Sequence, residues 1–151
     1  MARSDFTFCH RLRVRYAEID AQGIVFNANY LIYFDVALTE YMRAIRFSFA
    51  TGDKREDEDI HTVKALVEFR EPVRYDQEID ICARAAKIGR SSIQFLLEIH
   101  PKDEDRCLTS GEIVWVNTHQ QSRKSAPVPE ALTAALTALE GDRLILGPKA
   151  G

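Results

Sequence analysis

The sequence lacks any apolar run long enough to cross a membrane. Its longest uninterrupted run of apolar side chains is 30–34, which Asp35 ends, whereas a helix needs about 20 residues to cross the hydrocarbon core of a bilayer. The first 16 residues carry charges where a signal peptide would need an apolar stretch. We therefore expect a cytoplasmic protein without a membrane partner.

Paired metal ligands are also lacking. The three cysteines, Cys9, Cys82 and Cys107, are widely spaced and form no CxxC pair, and the four histidines form no HExxH or HxH pattern. The spacing predicts neither a metal site nor a disulfide framework. We interpret the cysteines as small apolar residues within strands.

No strong excess of charge of one sign is present. The chain has 20 lysines and arginines against 23 aspartates and glutamates, which gives a formal net charge of −3. Nucleic acids and anionic membranes attract proteins with a strong positive excess, so we expect neither as a partner. The 151 residues, 46% hydrophobic and 28% charged, suit one compact domain over residues 1–151.

Five stretches alternate apolar and polar side chains with the period of a strand. They are residues 6–16, 63–70, 78–85, 93–100 and 106–118. Period-two alternation gives each strand one core face and one wetter face, which is typical of an antiparallel sheet. The turn PKDED at 101–105 is expected to join the last two strands.

The segment 28–47 has the composition of a long helix, because it contains no proline or glycine and is rich in alanine and leucine. Its few polar side chains follow one narrow stripe, namely Asp35, Thr39, Arg43 and Arg46 with Glu40 alongside. The rest of its surface is apolar and has to be covered. A second helix is predicted at 129–140, before Gly141. The order of elements predicts an α+β fold in which a curved five-stranded antiparallel sheet wraps around one central helix.

The run DAQGIVFNANY at 20–30 resembles the signature of the hotdog-fold 4-hydroxybenzoyl-CoA thioesterase family. Supporting matches are ALTEY at 37–41, FREPVRYD at 69–76 and GRSS at 89–92, so the resemblance covers about residues 11–117. Two positions depart from the family pattern. Many bacterial relatives have histidine where Asn27 stands, and a small residue is usual at Gln22. The first departure removes an imidazole from that position, and the second affects which acyl group fits.

The resemblance implies an acyl-CoA thioesterase in which Asp20 is the catalytic carboxylate, as nucleophile or as general base. The backbone amide of Asn27, at the amino end of the helix, is the expected oxyanion donor. Gly23 would let the chain turn tightly between them. No metal or redox cofactor is implied, because coenzyme A is part of the substrate.

The resemblance also implies substrate contacts and an oligomer. The expected contacts are Gly23, Ile24, Val25, Phe26 and Tyr30 around the acyl group, and Arg90, Ser91 and Ser92 reaching the site of another subunit. Lys87, Arg90, Arg123 and Lys124 are candidates for pairing with the phosphates of coenzyme A. Members of this family form dimers with sheets joined edge to edge, often paired into homotetramers, so a homo-oligomer is expected.

Several readings stay open from the sequence alone. Asp20 alternatively is a helix cap or a turn residue, and 90–92 is alternatively a plain turn. Glu40 is the second candidate carboxylate, whereas Glu18 is expected to face solvent and His10 to be a strand residue. The chain is alternatively a non-catalytic acyl-CoA or acyl-carrier binding module, or a hotdog dehydratase. The acyl group, and the choice between coenzyme A and acyl carrier protein, are not determined.

Overall fold

Two helices and six strands occur in the described part of the chain, which in this computed structural model is residues 1–49 and 55–148. In chain order they are β1 (Phe8–Arg13), α1 (Asn27–Ala44), β2 (Glu58–Phe69), β3 (Glu78–Ile88), β4 (Ser92–Pro101), β5 (Thr109–His119), α2 (Glu130–Glu140) and β6 (Ile145–Leu146). Single turns of 3-10 helix lie at Arg3–Asp5, Tyr16–Glu18 and Gly141–Arg143.

The strands form one sheet in the order β1-β3-β4-β5-β2, with β6 beside β3. β1 runs antiparallel to β3, so that Phe8 lies opposite Ala83 and Arg13 opposite Glu78. The five longer strands are those that the alternation predicts. Strand β6 was not predicted, because two residues are too short to show a period.

The chain divides into two compact units. The first consists of Met1–Tyr41, Leu66–Arg84 and Leu97–Gly111. Its core contains the buried face of α1 and the inward side chains of the strands, including Tyr33, Phe34, Leu38, Tyr41, Ile79, Ile81, Leu97 and Ile99. Helix and sheet approach closely at Gly111, where a Cβ atom would overlap the ring of Phe34. Only glycine fits at this position.

The second unit consists of the remaining described residues. The rings of Phe95 and Trp115 meet edge to face at a centroid distance of 4.7 Å, and α2 buries Leu132 and Leu136. Asn117 is buried, and its Nδ2 donates to Glu58 Oε2 and to the carbonyl of Pro127, both at 2.9 Å. The second unit therefore has an apolar core with a hydrogen-bonded amide and carboxylate beside it.

Helix α1 ends three residues earlier than predicted. The backbone of Arg46 is left-handed, with a φ of 58°, and the N–H of Phe47 donates to the carbonyl of Met42 at 3.1 Å. This arrangement closes a helix at its carboxyl end. Asp35, Thr39, Arg43 and Arg46 of the polar stripe are exposed, and Glu40 beside them is half-buried. Leu31 (43%) and Ile32 (53%) are exposed as well. The expectation that all of the apolar surface of α1 is covered fails at these two residues within a single chain.

Strand β2 does not have the single buried face that its alternation predicts. Val63, Leu66 and Phe69 are 60%, 40% and 53% exposed. β2 stands last in the strand order and has a neighbour on one side only. The strand is therefore correctly predicted, whereas its predicted burial is wrong for the isolated chain.

The expectation that no disulfide forms is wrong. Cys9 on β1 and Cys82 on β3 are bonded, with a sulfur–sulfur distance of 2.02 Å. They are opposite each other in the β1–β3 register, a proximity that their separation of 73 residues hides. Cys107 is free, and its thiol donates to the carbonyl of Thr109 at 3.4 Å. Burial raises the pKa of the Cys107 thiol.

Candidate active site

The candidate site is built on the tight turn at 20–23. The N–H of Gly23 donates to the carbonyl of Asp20 at 3.0 Å, and the N–H of Asp20 donates to the carbonyl of Ile24 at 2.9 Å. Gly23 has a φ of 75°, in the left-handed region that glycine adopts without a steric penalty. The turn thus explains locally why glycine follows the aspartate at this spacing.

The carboxylate of Asp20 is half-buried and held on one side. Its Oδ1 accepts the N–H of Gln22 at 2.8 Å, as in a turn closed by an aspartate side chain. Within residues 1–49 and 55–148 no hydrogen bond reaches its Oδ2. The carboxylate therefore stabilises the turn through Oδ1, and its Oδ2 is available to a ligand or to water.

A neighbouring segment fixes this turn in place. The N–H of Val25 donates to the carbonyl of Val73 at 2.8 Å, and that of Tyr75 donates to the carbonyl of Gly23 at 3.1 Å. Ile24 forms an isolated bridge with Arg74. The Asp20 turn is thereby attached to 73–75 by backbone hydrogen bonds.

Helix α1 begins immediately after the turn. The carbonyl of Glu18 accepts the N–H of Phe26 at 2.9 Å and Nδ2 of Asn29 at 2.8 Å. The N–H groups of Asn27 and Ala28 find no acceptor among the described residues. Such free donors, at the positive end of a helix dipole, favour negative charge.

Tyr30, in the first helical turn of α1, lies near the Asp20 turn. Burial is the main reason that the pKa of its hydroxyl is raised, and the negative charge of Asp20 adds to the rise, while the N–H of Val73 opposes it. That N–H donates to the hydroxyl at 3.3 Å, and the Tyr30 ring meets Phe69 edge to face at 4.9 Å. The Tyr30 hydroxyl thus lies within reach of the Asp20 charge.

The structure brings together the predicted residues of this segment, with different exposures. Val25 and Tyr30 are buried, Ile24 is half-buried, and Phe26 is 53% exposed. Phe26 and Asn27 are therefore exposed to solvent, whereas Val25 and Tyr30 form part of the packing beneath. Their contact with a substrate stays a prediction.

The expectation that Glu18 faces solvent is wrong, because its side chain is buried. Its carboxylate accepts the backbone N–H and Nη2 of Arg15, both at 2.7 Å. Burial alone would raise the pKa of Glu18, but the hydrogen bonds from Arg15 lower it overall. Burial and the neighbouring Glu18 charge also raise the pKa of the Tyr33 hydroxyl. An arginine three residues before the glutamate is the only sequence signal of this arrangement.

The predicted ligand residues 90–92 lie in the second unit. Arg90 is exposed, and its Nη1 donates to Ser125 Oγ at a long 3.4 Å. The N–H of Gly89 donates to the carbonyl of Ser92 at 2.9 Å, so this bond closes the connection between β3 and β4. Arg90 also borders an open cavity of about 640 Å³ beside the first turns of α2. Whether 90–92 contacts a ligand stays a prediction.

The other candidates are separate from the Asp20 turn in the chain. Glu40 is half-buried on α1, and His10 is half-buried on β1. Among the described residues, no three histidine, cysteine, aspartate or glutamate side chains are grouped so as to hold a metal ion. None of the described helices has the length and apolar composition that crossing a membrane requires.

Known proteins resemble this chain in sequence and in structure. Residues 14–136 match the family model of the Thioesterase-like superfamily. The Acyl-CoA thioester hydrolase YbgC of Escherichia coli O6:H1 is 27% identical over 123 residues, covering 82% of this chain and 90% of the relative.

Two solved structures have the same fold. The PA5185 protein from Pseudomonas aeruginosa strain PAO1 has a TM-score of 0.81 at 24% identity, covering 93% of this chain and 96% of its own. Slr0204, a 1,4-dihydroxy-2-naphthoyl-CoA thioesterase from Synechocystis, has a TM-score of 0.81 at 19% identity, covering 88% and 97%. These likenesses confirm the predicted fold class.

Proposed function

The chain belongs to the thioesterase-like superfamily, and we propose that it hydrolyses an acyl thioester of coenzyme A or of an acyl carrier protein to a free acid and a thiol. The observation that carries the proposal is the Asp20 carboxylate, which is fixed by the turn, keeps one free oxygen and lies a few residues before the amino end of α1.

Asp20 either activates the water that attacks the thioester or itself supplies the attacking oxygen. As a general base, its Oδ2 takes a proton from water while the water oxygen bonds to the thioester carbon. As a nucleophile, Oδ2 itself attacks and forms a mixed anhydride, which water then hydrolyses. In both routes the carbon–sulfur bond breaks and the thiolate leaves. The hydrogen bond from Gln22 to Oδ1 at 2.8 Å keeps the carboxylate oriented.

The oxyanion that develops on the thioester is stabilised by the helix. The free N–H of Asn27 is the proposed donor, supported by the helix dipole. One preorganised donor of this kind typically contributes about 3 kcal/mol to the transition state. A backbone donor does not depend on the side chain at 27, so asparagine at this position is compatible with the reaction.

The substrate lies along Gly23, Ile24, Val25, Phe26 and Tyr30, and the exposed ring of Phe26 supports an apolar contact with the acyl group. Arg90, Ser91 and Ser92 of a second subunit complete the site. Lys87, Arg90, Arg123 and Lys124 are the proposed partners of the coenzyme A phosphates. The chemistry requires no metal or redox cofactor.

We further propose that the protein is a homo-oligomer, a dimer or a dimer of dimers, that pairs through β2. This strand is last in the strand order and leaves Leu66 and Phe69 exposed. A long apolar edge strand without cover tends to pair with another chain. A second copy would cover it.

The decisive variant is Asp20→Asn. An asparagine side chain still accepts the N–H of Gln22 through its amide oxygen, so the turn is kept while the free carboxylate oxygen is lost. We expect thiol release from an acyl-CoA panel, followed with a thiol-reactive dye, to fall by about a thousandfold or more. Asp20→Ala should lose as much activity and some stability as well.

The matched control is Asp35→Asn, which removes the same charge from the exposed face of α1. Circular dichroism and sedimentation should show an unchanged fold and oligomeric state in both variants. Activity of Asp20→Asn within a few-fold of wild type would remove Asp20 from the mechanism.

A non-catalytic binding module is the second candidate function. The hydrogen bond between Gln22 and Asp20 Oδ1 favours it, because a purely structural turn aspartate would make the same contact. Saturable acyl-CoA binding without thiol release, across aromatic, short and long acyl chains, would establish this alternative.

A further inference from the structure

A polar cavity that the proposed reaction does not use lies in the first unit. Its volume is about 310 Å³, and it is lined by Glu71, Pro72, Arg74, Gln77, Arg106 and Leu108. Two guanidinium groups and one carboxylate border it, so the lining carries a net positive charge. A cavity of this composition favours an anionic group over an apolar one.

Arg74 supplies a cation without a protein partner. Within residues 1–49 and 55–148 no carboxylate lies within 4.0 Å of its guanidinium, and no hydrogen bond engages it. Two other exposed arginines of the first unit, Arg11 and Arg13, are each paired with acidic side chains. An unpaired guanidinium at the wall of a cavity has its planar set of donors available for a ligand.

Gln77 adds neutral donors of fixed orientation. Its Oε1 accepts the N–H of Arg74 at 3.0 Å, and its backbone N–H donates to the carbonyl of Arg74 at 3.3 Å. Because Oε1 is occupied, the amide nitrogen Nε2 is left to donate into the cavity. Gln77 and Arg74 are therefore held together as one group of donors.

Arg106 closes the cavity on another side and is itself held in place. Its Nη1 bonds to Glu71, and its Nε donates to Glu104 Oε2 at 3.4 Å. All three side chains are about half exposed, so they can rearrange at little cost. Glu71 reduces the positive charge at the wall but does not cancel it, because Arg74 stays unpaired.

The cavity is attached to the candidate active site through the backbone. Arg74 forms an isolated bridge with Ile24, and the N–H of the next residue, Tyr75, donates to the carbonyl of Gly23 at 3.1 Å. The segment that carries the unpaired guanidinium therefore also fixes the Asp20 turn. A substrate bound at the Asp20 turn would therefore lie near Arg74, which forms part of the cavity wall.

We propose that this cavity binds an anionic oxygen group of the thioester substrate, with Arg74 and Gln77 as its donors. The inference rests on the proposed function. Arginine recognises phosphate and carboxylate groups through paired N–H donors. A thioester substrate carries such groups in two places, namely the phosphates of coenzyme A and a carboxylate on an acyl chain that has one.

The experiment compares Arg74→Ala with wild type on three substrates that share one thioester chemistry. They are an acyl-CoA, the same acyl group on pantetheine, which lacks phosphates, and a pantetheine thioester whose acyl chain ends in a carboxylate. We expect kcat/KM to fall about tenfold or more for a substrate whose anion occupies the cavity. It should stay unchanged for the uncharged pantetheine thioester.

A loss on acyl-CoA identifies the phosphates as the bound group, and a loss on the carboxylate-bearing pantetheine thioester identifies the acyl chain. Arg70→Ala is the matched control, because it removes the same charge from an exposed residue close in sequence that does not line the cavity. An equal loss in Arg70→Ala, an equal loss on the uncharged thioester, or no loss on any substrate overturns the proposal.

Binding measured by calorimetry separates this inference from the proposed function. If wild type hydrolyses no thioester, the proposed function fails, and coenzyme A alone and the carboxylate-bearing thioester serve as probes. A tenfold weaker Kd for either probe in Arg74→Ala still supports the cavity as an anion site. Unchanged binding of both probes overturns it.

Discussion

The two outer strands of the sheet, β1 and β2, differ in how they are held and in how exposed they are. β1 is bonded to β3 through Cys9 and Cys82, and Arg11 on β1 makes a two-point ion pair with the opposite residue on β3, Asp80, at 2.7 and 3.0 Å. β2 is exposed and carries apolar side chains without cover. A covalently fixed, charged edge disfavours pairing with a strand of another chain, whereas an exposed apolar edge favours such pairing.

The edge at β1 is closed by contacts within the single chain. Asp80 is 2% exposed and also accepts Arg3 Nη2 at 2.7 Å and the N–H of Asp103 at 3.0 Å. These groups join β1, the first 3-10 turn and the β4–β5 loop to β3. We infer that β1 is part of the stability of a single chain and that β2 is reserved for association.

Removing the disulfide should have the largest effect on stability. We expect Cys9→Ala with Cys82→Ala to lower the free energy of unfolding by about 4 kcal/mol, because a crosslink over 73 residues restricts the unfolded chain strongly. Urea denaturation measures the change, and a reducing agent should reproduce it in wild type. Cys107→Ala, which leaves the bond intact, is the control. Equal stability of oxidised and reduced wild type would contradict the prediction.

Removing the Asp80 charge should have the second-largest effect. Desolvation of Asp80 would raise its pKa, but the bonds from Arg11, Asp103 and Arg3 hold that pKa well below its ordinary value. The Asp80 carboxylate therefore stabilises the fold fully above about pH 4, which is the pKa of an aspartate in the unfolded chain. This stabilisation is lost as the pH falls below that value toward the lower pKa of the folded state. Asp80→Asn should cost about 2–3 kcal/mol at pH 7. The difference from wild type should shrink in urea titrations at pH 3 and below.

A change on the open edge should leave the stability of the single chain nearly unaltered. Leu66→Glu introduces a charge at an exposed position of β2, so we expect less than about 0.5 kcal/mol of change in the monomer. Sedimentation should show dissociation of the oligomer. Ile145→Glu, at an exposed apolar residue of β6, is the control and should leave the oligomer intact. An oligomer that tolerates Leu66→Glu would exclude this part of β2 from the interface.

Local features of the candidate site follow from the sequence with little help from the fold. The Asp20–Gly23 spacing predicts a tight turn, and the hydrogen bonds of Gln22 and Gly23 to Asp20 are those of such a turn. The absence of proline and glycine after Asn27 predicts α1. Both depend on neighbours a few residues apart, so their signals are present in a short stretch of chain.

The burial of Glu18 and of β2 was predicted wrongly because burial depends on what the fold places nearby. Glu18 carries a charge, which favours solvent exposure, yet it is buried and bonded to Arg15 beside the Tyr33 hydroxyl. Val63 and Phe69 occupy the face of β2 that the alternation assigns to the core, yet they are 60% and 53% exposed. Periodicity identifies the faces of an element and does not state which face is covered.

The sequence by itself determined the order of the two helices and the five longer strands, the wrapped-helix α+β class and the turn that contains Asp20, because periodicity and turn chemistry act over a few residues. Only the tertiary structure decided that Cys9 meets Cys82, that Arg11 pairs with Asp80 and that Arg74, Gln77 and Arg106 border one cavity. Each of these contacts between distant residues depends on strand order and register. Those are fixed by the packing of segments far apart in the chain, and no short stretch of sequence contains them.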